Sequence, residues 1–393
     1  CRGSRSLFGG KNIMKIYCIL FDTFPRHPKM ENLFKSKGLH YADYLTQTCT
    51  VTTYISMFSG KRPSEMRSTG IGHSHTYALL SDKDKEEWNK KIIFNQIPED
   101  WEIHLHAMPN TRGDDNSIRD CWPMYQNIDT TPGRNDCKLL PDDICARDRD
   151  FKFYNYNESD DEQNFIKKMQ DLPSEENHFI VLKYNHYHDA ERDKYADVFT
   201  LFREIIEQID FEEENSLFWL FADHGEPEGI DKFHSPPDSW LSWVSVTDNI
   251  TNQKIAKNKI CSIDFYNTVL NRIFDKDLPN DVLDEVDMER IYVTEDSRGA
   301  INEYNCTTVS AIKALDENKY RQYTIHNPGA PYAKYNNISQ ISRIYDAEKY
   351  GNSGYLGVTN RECEVVATDE ELKDYLKNRI WRWYLEYVEE HKY

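Results

Sequence analysis

The 393-residue chain has no basic excess to offer a polyanion: Lys and Arg number 48 against 67 Asp and Glu, a formal net charge of −19. That balance argues against a nucleic-acid backbone or an anionic membrane as the main partner. No apolar run approaches the roughly 20 residues a membrane span needs. The nine cysteines (1, 18, 49, 121, 137, 145, 261, 306 and 363) contain no CxxC pair. Their odd number and irregular spacing fit a reduced, cytoplasmic setting better than a disulfide framework. The first residues, CRGSRSLFGGKNI, lack the apolar centre of a signal peptide. They read as a tag remnant or an upstream extension, residues 1–13, ahead of Met14. Internal repeats and low-complexity tracts are missing as well. What is present is 39% hydrophobic and 13% aromatic residues, enough for a sizeable core in one large domain or a large and a small one.

The apolar residues come in short runs. KIYCILF (15–21), HFIVLKY (178–184), LFWLFA (217–222) and LSWVSVTD (241–248) are nearly continuous, as in strands covered on both faces. WEIHLHAM (101–108) alternates and predicts another strand. Between these lie helical patterns. ENLFKSKG (31–38) closes near Gly38, and DDEQNFIKKMQDL (160–172) has helical spacing. Val198, Leu201, Phe202, Ile205, Ile206 and Ile209 form one stripe, and ICSIDFYNTVLNRIF (260–274) reads as an amphipathic helix. Strands alternating with helices predict an α/β core over 14–285 with a mostly parallel central sheet and helices on both faces. Residues 109–150, rich in Asp, Pro, Gly and Asn, read as a long surface excursion. After residue 285, RIYVTED, KYRQYTIH and ISRIYDAEKY read as antiparallel strands of a smaller C-terminal α+β unit, 286–393. Thr368 and Glu371 form a capping-box pattern ahead of its final helix.

Ligands of open parallel sheets bind beyond the carboxyl ends of the strands. Three apolar strands here run into metal-capable residues: Asp22; then His186, His188 and Asp189; then Asp223 and His224. Carboxylate and imidazole together suit zinc or manganese. Single endings of this kind equally suit capped turns and satisfied core histidines. His104 and His106 end a further strand and could reach the same edge.

The order of these motifs resembles the alkaline phosphatase superfamily, including its sulfatase-like members. Phe21-Asp22-Thr23 is similar to that family's first metal motif. Thr50 to Gly60, TVTTYISMFSG, resembles its nucleophile segment, and the spacing to Ser59-Gly60 selects Thr50. Phe221 to Glu226, FADHGE, resembles the second metal motif, and 260–270 is similar to a downstream helix of sulfatases. The resemblance covers about residues 14–275 and implies an alkaline-phosphatase-like fold. It also implies that Asp22, Thr50, Asp223 and His224 bind a divalent ion (Zn, Mn, Ca or Mg), with Thr50 as nucleophile. His234 would contact the substrate or a second metal, His188 would contact the ester, and Asp189 would be a metal ligand in the other half of the site.

The implied activity is metal-dependent hydrolysis or transfer of a small anionic phosphate or sulfate ester through a covalent threonine intermediate. Cys49 is followed by Thr-Val-Thr-Thr, without the Pro and Arg that formylglycine formation requires. This argues against a formylglycine cofactor and favours the phosphodiesterase and phosphoethanolamine-transferase branches. The same departure leaves open a degenerate member that binds an anion or partner without turnover. Oligomeric state is not encoded in any pattern here.

Overall fold

The computed structural model describes residues 13–22, 24, 28–47, 50–62, 90, 92–107, 151–155, 162–173, 175–184, 195–225, 240–298, 306–316, 319–326, 339–346, 363–365, 369–376 and 378. The expected excursion at 109–150 lies outside them.

β1 (Lys15–Phe21) is buried along its whole length. Because successive side chains point to opposite faces, it feeds two separate cores. Ile16, Cys18 and Leu20 join one, and Tyr17, Ile19 and Phe21 join the other. A run with no polar face can exist only where both faces are covered, and here they are. β1 lies inside an eight-stranded sheet of order β4-β3-β5-β1-β6-β7-β2-β8. Its other members are β2 (Ala42–Leu45), β3 (Trp101–Ala107), β4 (Phe151–Asn155), β5 (Asn177–Tyr184), β6 (Ser216–Phe221), β7 (Leu241–Asp248) and β8 (Lys259–Cys261). β1, β3, β4, β5 and β6 are mutually parallel, whereas β7 pairs antiparallel with both β6 and β2. The sheet is therefore α/β and mostly parallel, as its sequence predicts.

The helices that precede and follow these strands divide between the faces. α1 (Pro28–Ser36), α4 (Glu162–Gln170) and α5 (Tyr195–Gln208) cover one with Met30, Phe34, Ile166, Phe202 and Ile206. α2 (Thr50–Ser59), α3 (Ile93–Gln96) and α6 (Asp264–Phe274) cover the other with Tyr54, Phe58, Phe94, Phe265 and Val269. α2 stops at Gly60, whose φ of +64° favours glycine and where an added Cβ would stand 2.7 Å from the Tyr266 ring. α6 starts later than the sequence pattern suggests. Residues 259–261 are drawn into β8 by pairing with β2, a tertiary contact that periodicity within the segment does not reveal.

A second sheet, order β13-β12-β11-β10-β9, is wholly antiparallel. It consists of β9 (Ile291–Arg298), β10 (Cys306–Ala314), β11 (Lys319–His326), β12 (Ser339–Asp346) and β13 (Cys363–Val365). Tyr292, Ile312 and Tyr320 pack it against Leu45 and Leu241 of the first sheet and Trp240 just before β7. α7 (Glu370–Leu376) lays Leu372 and Leu376 on Val293, Val309 and Tyr323. Asp369 accepts the Leu372 N–H at 3.1 Å at the start of α7, and the Thr368 of the sequence pattern lies outside the described residues.

One buried ion cluster ties α6 to its surroundings. Arg272 Nε donates to Asp248 at the end of β7 at 2.6 Å, and its two terminal nitrogens grip Asp281 at 2.7 Å each. Burial alone would raise the Asp281 carboxyl, but the hydrogen bonds and charge of Arg272 outweigh it and hold the carboxyl below its ordinary range. A depressed carboxyl contributes stability above its unfolded pKa and loses it as pH falls through the lower folded value. Asp281→Asn should therefore cost about 3–5 kcal/mol in denaturant unfolding at neutral pH. The gap from the parent protein should narrow as pH drops below about 4.

Candidate metal centre

Asp22 follows β1 directly, and its backbone N–H donates to Tyr184 O at the end of β5 at 3.0 Å. The ladder thus carries Asp22 to the carboxyl edge of the sheet. Asp223 and His224 arrive at that edge from β6, the other neighbour of β1. β7 holds the exit of β6 in place. Ser242 Oγ donates to Ala222 O at 2.8 Å, and Ala222 N donates to Trp243 O at 3.2 Å. As a result Asp22, Asp223 and His224, all buried, each place a ligand atom within 4.8 Å of the others.

The orientation of His224 decides what this trio can hold. Its Nδ1 lies 2.6 Å from Gly225 O. A carbonyl can only accept, so Nδ1 carries a proton, and in the neutral ring Nε2 then presents its lone pair inward. Nε2 lies 3.6 Å from Asp223 Oδ2, which is also an acceptor when ionised. An imidazole fixed by a backbone carbonyl with its other nitrogen facing carboxylates is the arrangement found around metal-ligating histidines. Two carboxylates and one such imidazole fit a divalent ion of the zinc or manganese type. Lys183 also reaches this site, with Nζ 2.9 Å from Asp22 Oδ2 and both side chains buried. It supplies one positive charge to a group with two carboxylates.

The first turn of α2 is fastened to the same place. Thr53 Oγ1 donates to Asp223 O at 2.8 Å and accepts the Gln47 N–H at 3.2 Å. Thr50 opens α2, so its backbone sits in the turn anchored to Asp223. The Thr50 side chain lies outside the described residues, as do those of His106 and the whole of His186, His188, Asp189, Glu226 and His234. His104 does not reach this edge. It turns toward the amino end of the sheet, where its Nε2 lies 3.1 Å from His178 Nδ1. Lys183, Gln47 and Thr53 escape sequence reasoning. A lysine inside the apolar run HFIVLKY was the available signal for Lys183, since a buried cation in a strand core needs an anion nearby.

The course of the chain is similar to solved members of the alkaline phosphatase superfamily. A protein of that superfamily from Vibrio parahaemolyticus shares 11% identity at TM-score 0.47, over 97% of this chain and 88% of that one. The lipoteichoic acid synthase LtaP from Listeria monocytogenes shares 11% at TM-score 0.48, over 96% and 92%. The phosphoglycerol transferase GacH from Streptococcus pyogenes, in complex with sn-glycerol-1-phosphate, shares 13% at TM-score 0.41, over 68% and 82%. No family model and no curated protein matches the chain. Likeness at this level concerns backbone course alone, and no activity follows from it.

Thr53→Val keeps the side-chain shape and deletes the hydroxyl that joins Gln47 to Asp223. Thermal or denaturant unfolding should register a loss of about 1–3 kcal/mol.

Proposed function

We propose that the chain is a metal-dependent hydrolase or transferase of a small phosphate or sulfate ester, with Thr50 as nucleophile. The observation that carries this reading is the buried convergence of Asp22, Asp223 and His224 beside the anchored first turn of α2. Asp22, Asp223 and His224, with Thr50, would hold the ion. A divalent ion bound there supplies positive charge that favours the deprotonated hydroxyl and offsets charge developing on the ester oxygens.

In the proposed reaction Thr50 Oγ1 forms a bond to phosphorus or sulfur as the bond to the departing alcohol breaks, and the hydroxyl proton ends on that alcohol. Water or an acceptor alcohol then displaces Thr50 and restores it. Covalent catalysis of this kind divides one difficult displacement into two easier ones. His188 and His234 are proposed to contact the ester, and Asp189 to serve a second half of the site. The burial of the trio supports the reading, because charge stabilisation is stronger where water is excluded. Among the described residues no helix is long and apolar enough to cross a membrane.

A second reading is favoured by the Lys183–Asp22 ion pair, which places a protein cation against a proposed metal ligand. In it the chain keeps the fold and binds an anion or partner without turnover.

Aryl phosphate and aryl sulfate hydrolysis with added Zn²⁺ or Mn²⁺ separates the two. Thr50→Ala should lower turnover on the order of 10³-fold or more, and a brief reaction of the parent should leave a phosphoryl or sulfuryl adduct on Thr50 by peptide mass spectrometry. Full activity in Thr50→Ala would remove Thr50 as nucleophile. No turnover, with thermal stabilisation by phosphate or sulfate, would establish the second reading.

A further inference from the structure

Far from the strand ends described above, a second group of side chains meets at the amino end of the same sheet. Glu102 and His104 stand two residues apart on β3 and so share a face, and His178 on β5 is in register with Glu102. Trp101, Ile103 and Phe179, which alternate with them, belong to the core on the other face. His104 and His178 are fully buried, while the Glu102 side chain is 23% exposed. Tyr184, the residue beside Asp22, is six steps along β5 from His178, a span of about 20 Å at the usual rise of a strand.

Three atoms of this group converge. His104 Nε2 lies 3.1 Å from His178 Nδ1 and 3.3 Å from Glu102 Oε2, and His178 Nδ1 lies 3.5 Å from Glu102 Oε2. Ligand atoms about 2.0–2.1 Å from a tetrahedral zinc ion stand about 3.3–3.4 Å from one another. The three distances therefore outline one face of such a tetrahedron. The protonation pattern agrees. His178 Nε2 lies 3.0 Å from Pro173 O, which can only accept, so Nε2 carries a proton, and in the neutral ring Nδ1 then presents its lone pair to the centre. Glu102 Oε2 is likewise an acceptor when ionised. With its lone pair turned inward, His104 Nε2 would be the third acceptor of the group. A cation at the centre meets all three.

We propose that Glu102 Oε2, His104 Nε2 and His178 Nδ1 form a second divalent-metal site, of zinc type, which joins β3 to β5 at the amino end of the sheet. Two imidazoles and one carboxylate select zinc over magnesium or calcium, which prefer all-oxygen shells. The backbone carbonyl of Pro173 orients His178 as a second-shell group does. Glu102, at 23% exposure, is the member of the trio that solvent reaches, so the fourth ligand would be water. The ion would stabilise the join between β3, β5 and the turn that follows α4, and it takes no part in the chemistry proposed for Thr50.

Equilibrium dialysis of the full chain against Zn²⁺ tests this. Two ions per chain are expected, falling to one in His178→Ala and in Glu102→Ala, and to one in Asp223→Ala. If the Asp22 centre holds no metal, the parent takes one ion that survives Asp223→Ala and is lost in His178→Ala, so failure there leaves this site standing. His178→Ala and Glu102→Ala proteins that fold like the parent and bind as much zinc would overturn the proposal. Should His178→Ala fail to fold, zinc absorption spectroscopy of the Asp223→Ala protein decides. Two imidazoles and a carboxylate support the site, and a zinc shell without imidazole, or no zinc, overturns it.

Discussion

Charge burial at the carboxyl ends of β1 and β6 is the constraint on which the rest of the site depends. Two carboxylates, Asp22 and Asp223, are carried out of water by strands that have no polar face to spare. Buried carboxylates stay ionised only beside positive charge. Lys183 meets one of them directly, and the inward nitrogen of His224 offers the other a shared cation. The sheet thus does more than scaffold the site: its own burial creates the demand that a divalent ion would meet.

The second sheet is coupled to this centre through Gln47. Its side-chain amide pairs with β9 as a neighbouring strand would, accepting the Glu295 N–H at 2.7 Å and donating to Val293 O at 3.2 Å. Its backbone N–H reaches Thr53, and Thr53 reaches Asp223. Tyr320 adds a second tie at 2.6 Å to Asp43. One continuous set of hydrogen bonds therefore runs from β9 to the first turn of α2 and on to the backbone of Asp223. In a buried network each member fixes the geometry of the next, so the smaller sheet helps to set the position of the proposed nucleophile segment.

Much of this was legible in sequence because the signals were local. Four apolar runs became β1, β5, β6 and β7, the stripe from Val198 became α5, and Asp22, Asp223 and His224 came together as strand endings should. What escaped depends on distant partners. Residues 259–261 look helical alone and become β8 only because β2 lies beside them. β10 has too little alternation to announce itself, yet it is the strand on which β9 and β11 both pair. Likewise, the register of β3 with β5 decides that His104 meets His178 instead of the Asp22 edge, and no pattern within WEIHLHAM encodes that register.

The central claim is that Asp22, Asp223 and His224 enclose a divalent ion. Anomalous scattering at the zinc edge, from crystals of the zinc-loaded chain, tests it by position and not merely by stoichiometry. The geometry predicts a peak between Asp22, Asp223 and His224, with Lys183 displaced from Asp22 or sharing it. The absence of a peak there, with Lys183 still paired to Asp22, would contradict the claim and leave a site that uses a lysine where a metal enzyme needs its ion.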